Sequence, residues 1–201
     1  MNDMIIVLAS ASPRRKELLE LMGFSPVIIP SGADEASDIT DPEELVLELS
    51  RRKCRDVAGN LPEEYKDKTV FVIGADTVVA ADKKILGKPH GEEEARDMLE
   101  TISGRIHQVL TGVSAACVRR GRIEAFESFV EKTDVKVTQL SGEAIDGYIA
   151  SGEPFDKAGA YGIQGCFGKY VEGIDGDYYN VVGLPICSLN KHLEGMKNEM
   201  Q

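Results

Sequence analysis

An α/β fold built on a mixed, twisted sheet flanked by helices is what this sequence predicts, and three observations carry that expectation. Apolar, β-branched stretches alternate with capped helical segments through the first half of the chain. Two long strand-like stretches, 106–118 and 123–137, then meet at Arg120-Gly121 as a hairpin. Strand–helix alternation favours parallel neighbours while a hairpin imposes an antiparallel pair, so the sheet has to be mixed. Finally, the 201 residues contain no internal repeat, low-complexity tract or long linker, so residues 1–201 are read as a single domain.

The elements follow in order. Met4 to Ala9 is apolar and β-branched enough for a central strand, and Ser12-Pro13 supplies a helix cap and a first-turn proline. A helix from Pro13 to Met22 buries Leu18, Leu19 and Met22, and Gly23 stands at its left-handed end. Val27 to Ile29 reads as a second strand, followed by an acidic loop, Gly32 to Asp41, carrying Asp34 and Glu35. Asp41-Pro42-Glu43-Glu44 then opens a helix reaching about Val57, with carboxylates suited to the positive helix end. Lys53 falls four residues after Leu49, in line with an apolar face where a lysine is out of place. Val70 to Ile73 is a strong strand, and Gly74 to Ala81 continues apolar around one acid, Asp76. Gly87-Lys88-Pro89 closes a hairpin-like excursion. Helices are expected at Glu92 to Thr101, Ser141 to Ala150 and Leu184 to Met196, a glycine-rich loop at Gly159 to Gly168, a strand near Tyr170 to Ile174, and fraying from Lys197 to Gln201.

Composition narrows the function. Lys and Arg total 23 against 34 Asp and Glu, a net charge of −11, so most of the surface repels a phosphate backbone and stable nucleic-acid binding is not expected. A few cations focused in a cleft can still bind a small anion. The apolar run at the start is short and preceded by Asp3 instead of basic residues, which argues against a signal peptide or a membrane span and favours the cytoplasm. Cys54, Cys117, Cys166 and Cys187 form no C-x-x-C pair, and with three histidines they are read as buried, reduced thiols.

Four groups of residues invite chemistry. Ser10-Ala-Ser-Pro-Arg14-Arg15 lies between strand and helix, where first-turn amides and the helix dipole make an anion site to which arginine forks add donors; a solvated helical face is the alternative. Asp76, flanked by apolar sequence, is either a partnered structural carboxylate or a metal ligand or general base above phosphates. Lys53 and Lys88 are isolated cations in an acidic chain, ligand contacts or surface lysines. Gln164 lies in Asp156-Lys-Ala-Gly-Ala-Tyr-Gly-Ile-Gln-Gly165, where its amide can pair a base edge through donor and acceptor. G-x-x-x-x-G-K-[ST], a dinucleotide fingerprint and H-E-x-x-H are absent, and His107 reads as structural.

Seven segments in order, Leu8-Ala-Ser-Ala-Ser-Pro-Arg-Arg15, Leu49-Ser-Arg-Arg-Lys53, Gly74-Ala-Asp-Thr77, Gly87-Lys-Pro89, Ser103-Gly-Arg105 with His107, Lys157-Ala-Gly-Ala-Tyr-Gly-Ile-Gln-Gly165 and Asn180-Val-Val-Gly-Leu-Pro185, resemble the Maf family of nucleoside triphosphate pyrophosphatases. The resemblance implies two lobes around a nucleotide cleft, an architecture like that of inosine triphosphate pyrophosphatases. It also implies hydrolysis of the α–β phosphoanhydride with a divalent cation, Mg or Mn. Asp76 matches the family's proposed base, and Asp76 and Glu35 the acids expected near the metal. Ser10, Arg15, Lys53 and Lys88 match phosphate-holding positions. Arg14, Thr77 and Gln164 match the branch acting on dTTP and UTP, and the 7-methyl-GTP branch differs there. Cys54 departs from the pattern, since alanine commonly follows the lysine.

The partner implied is therefore a nucleoside triphosphate, with no membrane and a homodimer as the assembly to test. A regulator of septum formation that binds nucleotide without significant turnover is the rival reading, and the intact Asp76 favours the enzyme. An RNA-binding module is disfavoured by the charge and the lack of tryptophan for stacking.

Overall fold

The computed structural model describes residues 5–82 and 84–199. Its strands are β1 (Ile5–Leu8), β2 (Val27–Ile28), β3 (Thr69–Ala81), β4 (Lys84–Leu86), β5 (Ile106–Arg119), β6 (Arg122–Val137) and β7 (Val171–Asp175). The helices are α1 (Pro13–Leu21), α2 (Pro42–Gly59), α3 (Glu92–Ile102), α4 (Gly142–Ala150), α5 (Tyr178–Val182) and α6 (Ile186–Glu199), with 3₁₀ turns between them. The strands form one sheet in the order β2-β1-β3-β5-β6-β7, with β4 on β3. β1 is parallel to β2 and β3, while β4 on β3 and β7 on β6 are antiparallel, so the sheet is mixed as expected.

The chain divides into two compact units. The first comprises Met1–Asp76, Thr111–Glu131 and Gly183–Gln201. Here Ile5 to Leu8 pair with Val70 to Ile73 in register, and the side chains of Val7, Val70, Val72, Cys54, Val57 and Ala116 form a core under α2. Helix α2 sits on the strands at backbone distance because two glycines permit it. A Cβ on Gly74 would lie 2.6 Å from both Cys54 N and Ser50 O, and one on Gly112 would overlap the Val46 carbonyl. Close approach has its own polar seam, in which Ser50 Oγ meets Ser114 Oγ at 2.9 Å and Ser114 Oγ meets Ser128 Oγ at 3.0 Å.

The second unit comprises Thr77–Leu110 and Lys132–Val182. Its core joins α3 and α4 to the strands through Leu99, Ile102, Val109, Val135, Ile145 and Phe167, all buried. His107 lies in this core, 2 % exposed, with Nε2 bonded to Tyr161 Oη at 2.7 Å, the structural role expected of it.

The two expected caps behave as read: Ser12 Oγ accepts from Arg15 N and Asp41 Oδ1 from Glu44 N. Ser141, read as helical, instead caps α4, its Oγ accepting from Ala144 N. At the hairpin, Arg120 and Gly121 have φ of +50° and +68°, the left-handed pair that matches strand twist. Differences are local. The two apolar stretches 70–73 and 74–81 are one strand, α2 runs on to Gly59, and α5 was not anticipated. The final helix starts at Ile186, just after Pro185, whose carbonyl accepts from Leu189 N at 2.9 Å, and it continues to Glu199 through three of the residues expected to fray. Met4 and residues 200–201 lie outside the described residues. Cys54 and Cys117 are buried and reduced, whereas Cys166 and Cys187 are exposed, which corrects the expectation for half of the thiols.

Candidate active site

In the first unit, β1 ends at Leu8 and the chain turns into α1, placing Ser10 and Arg15 beside β3. Arg15 is not a solvated helical residue. Its Nε donates to Gly183 O at 2.9 Å, and its Nη1 donates to Ala75 O at 2.9 Å and Ser10 Oγ at 3.2 Å. The guanidinium thus ties the start of α1 to the carbonyl next to Asp76. Burial pulls its pKa down, opposed by the Asp76 carboxylate, lowered again by Arg14 and opposed by Glu35, and it stays cationic because arginine starts so high. Arg14, next to it, is half-buried.

The out-of-place lysine has found its reason. Lys53 is buried, and Nζ lies 2.7 Å from Asp76 Oδ1 and 3.0 Å from Glu35 Oε1. A cation bridges two carboxylates, one on β3 with 13 % of its side chain exposed and one on the acidic loop with 63 %. Gly74 makes this geometry possible, since it lets α2 settle onto β3 two residues before Asp76.

The loop that carries Glu35 is fastened to the same helix. Asp56 Oδ2 accepts from Ser31 Oγ at 2.6 Å and from Gly32 N at 2.9 Å, and these bonds hold its carboxyl below the usual carboxylate range. Arg52 Nη1 donates to Asp34 O at 3.3 Å and Ala36 O at 2.9 Å, the carbonyls on either side of Glu35. Sequence reasoning passed over Arg52 and Asp56. The available signal was their place one residue before and three after Lys53, on a helix preceded by an acidic loop.

Ser10, Arg15, Glu35, Lys53 and Asp76 therefore gather in the first unit. Thr77, Lys88 and Gln164 belong to the second. Thr77 follows Asp76 on β3 and is half-buried. Lys88 is exposed just after β4, and the Gly87 carbonyl before it accepts from Gly159 N at 2.9 Å, linking that turn to the glycine-rich loop. Gln164 is exposed within that loop.

As a donor set for a metal, Asp76 and Glu35 offer hard carboxylate oxygens that already converge on one cationic atom. They fit a magnesium-type ion, which takes one or two carboxylates and completes its shell with water and phosphate oxygens. Among the described residues no group of three or more His, Cys, Asp or Glu is placed to hold a metal by itself. No helix among them is long and apolar enough to cross a membrane.

Residues 5–196 match the family model described as Maf-like protein. The chain is 53% identical over 182 residues to the dTTP/UTP pyrophosphatase of Thermococcus kodakarensis, covering 90% of this chain and 92% of that one. It is 48% identical over 195 residues to the dTTP/UTP pyrophosphatase of Agathobacter rectalis, covering 94% and 95%. Among solved structures, a HAM1 protein from Coxiella burnetii superposes with a TM-score of 0.43 at 14% identity, covering 78% of this chain and 86% of that one.

Proposed function

The chain belongs to the Maf-like protein family, and from that membership we propose that it hydrolyses dTTP and UTP to the monophosphate and pyrophosphate, with residues 1–201 working as one catalytic domain. The observation that carries the chemistry is the buried Lys53–Asp76 contact beside Arg15. The names carried by relatives at 48% and 53% identity support the substrate class.

The residues divide the work as follows. Asp76 Oδ1 is held by Lys53, which fixes the rotamer of the carboxylate and leaves Oδ2 to accept the proton of the attacking water. Arg15 and Lys53 supply positive charge where the pyrophosphate leaves, Ser10 supplies a hydroxyl, and Lys88 holds the outer phosphates. Asp76 and Glu35 would hold a divalent cation, which when bound neutralises the polyphosphate. Lys53 Nζ, which touches both acids, keeps its hold on Asp76 and adds positive charge beside the place where they would hold the cation. Gln164 reads the pyrimidine edge through its amide, with Arg14 and Thr77 completing selection.

Product analysis over a nucleotide panel with magnesium or manganese tests this reading. Pyrophosphate release from UTP and dTTP, well ahead of ATP and GTP, is the expected result. Orthophosphate release overturns the reaction class, equal purine turnover overturns the specificity, and binding without turnover returns the protein to a regulator.

A further inference from the structure

The five residues centred on Gln164 are pinned at both ends by one carboxylate. Glu153, in the 3₁₀ turn Glu153–Asp156 after α4, accepts from Cys166 N at 3.0 Å and Cys166 Sγ at 2.9 Å through Oε2. Its Oε1 accepts from Tyr148 Oη at 3.0 Å, and that phenol oxygen in turn accepts from Gly162 N at 3.3 Å. The stretch 162–166 is therefore clasped at its first and last residues, and Gln164 stands exposed at its centre. Gly165 N closes a turn onto Gly162 O at 3.2 Å. The fit around the carboxylate is steric as well as polar, because a Cβ on Gly165 would overlap Glu153 Oε1, and one on Gly162 would lie 2.6 Å from Lys157 Cε. Lys157 braces the turn by donating to Glu153 O at 2.7 Å and Asp156 Oδ1 at 2.6 Å.

We infer that Glu153 is a positioning residue for base selection: with Tyr148 it fixes the 162–166 turn so that the Gln164 amide meets the base in one orientation. The inference rests on the proposed function, in which Gln164 reads the pyrimidine. Glu153 touches neither the phosphates nor the reacting atoms in this scheme. An amide that must present donor and acceptor in order discriminates only if the backbone beneath it is fixed. The carboxylate suits the task because it accepts on both oxygens at once, whereas a neutral amide has one accepting oxygen and an NH₂ that only donates. Burial pushes the Glu153 carboxyl up, but the bonds from Cys166 and Tyr148, with Lys157 nearby, together hold it below the ordinary range, so it is ionised at neutral pH.

The test is Glu153→Gln in a Cys187→Ser background, in which Cys166 is the one exposed thiol among the described residues. UTP hydrolysis is measured alongside inhibition by inorganic tripolyphosphate, a probe with phosphates and no base. The expected result is a UTP KM raised about tenfold with kcat and the tripolyphosphate inhibition constant each within about twofold, the signature of lost base contact with intact phosphate chemistry. Alkylation of Cys166 by iodoacetamide should accelerate several-fold, because Glu153 now raises that thiol's pKa through its hydrogen bond. An unchanged UTP KM, or UTP and tripolyphosphate weakening in parallel, overturns the inference. If Glu153→Gln does not fold, Tyr148→Phe removes the Gly162 arm alone and should give the same split in smaller measure; no split there overturns it equally. Should the unmodified chain release no pyrophosphate from UTP, the proposed function fails, while an unchanged alkylation rate in Glu153→Gln would separately sink the anchoring role.

Discussion

Lys53 Nζ and Asp76 Oδ1 stand 2.7 Å apart, with 11 % and 13 % of their side chains exposed. A pair this sheltered is costly to break from one side and cheap to replace from both. Lys53→Met leaves Asp76 without its cation and should lower unfolding free energy by about 3 kcal/mol. Adding Asp76→Asn should restore part of that loss, a coupling that a double-mutant cycle by denaturant melts measures directly. Additive effects would mean that the two groups do not depend on each other.

Asp76→Asn alone keeps the shape and leaves Lys53 its bond to Glu35. The variant should stay folded and bind nucleotide while turnover drops on the order of 10²-fold, the scale of a general base. Rate measurements at saturating manganese separate a base from a ligand, since recovery there points to lost metal affinity. Turnover close to that of the native chain at ordinary metal levels would move the assignment to Glu35.

Arg15 has structural duties besides any phosphate contact. Three donors of its planar fork reach Gly183 O, Ala75 O and Ser10 Oγ, and no ammonium reproduces that geometry. Arg15→Lys should therefore behave nearly as badly as Arg15→Ala, raising KM, lowering kcat and costing about 1–3 kcal/mol of stability for the carbonyls left unpaired. Full activity in the lysine variant would reduce Arg15 to a point charge.

Arg52→Ala releases the carbonyls on either side of Glu35. The side chain is partly exposed and its pairing with Glu48 is worth little, so the melting temperature should barely move. The divalent cation concentration for half-maximal rate should rise several-fold, because a carboxylate on a loose loop binds less well. A metal titration that overlays the native curve would show that the loop needs no such anchor.

His107 predicts an acid limit. Burial pushes its pKa down to about 4 from 6.5, against the pull of Asp134, and no described group pairs with Nδ1. The folded state therefore holds fewer protons on this ring than the unfolded state between those values, and stability falls as pH falls through that window. The stability lost through this ring amounts to about 3 kcal/mol, complete below pH 4 and nil above 6.5. His107→Gln should be less stable at pH 7, through the altered bond to Tyr161, yet lose less on acidification. Melts at several pH values check both slopes.

Much of this was legible in local sequence because the signals were local. Ser12-Pro13 and Asp41-Pro42 start helices by satisfying first-turn amides, and the structure places both caps where they were read. Lys53 betrayed itself by breaking an apolar line, although only the fold shows that its partner is Asp76. Strand β3 was read in two pieces because Gly74 and Asp76 are poor strand formers, and tertiary contact overrides that preference. Helix α5 is five residues long, too short for any period to register; its one clue is Asp177, whose Oδ1 accepts from Tyr179 N. The Arg15 bond to Gly183 spans nearly the whole sequence, and the Glu153 clasp on Cys166 joins residues in a glycine-rich stretch where spacing says little. Exposed Cys166 likewise looked like core because cysteine usually is.

The seat formed by Gly74 and Gly112 has a bearing on how this protein can change. Since helix and strand touch through main-chain atoms, the elevation of Lys53 over the sheet is set by covalent geometry and cannot drift as neighbouring side chains are exchanged. Nearby side chains can therefore be exchanged without disturbing the charged pair. Variation is thereby steered to the opposite rim, where Glu35 hangs on a solvent-facing loop and can be shifted one hydrogen bond at a time. A laboratory evolution experiment that selects for altered metal preference should collect its changes in residues 31–41 and at Arg52, and leave both glycines untouched.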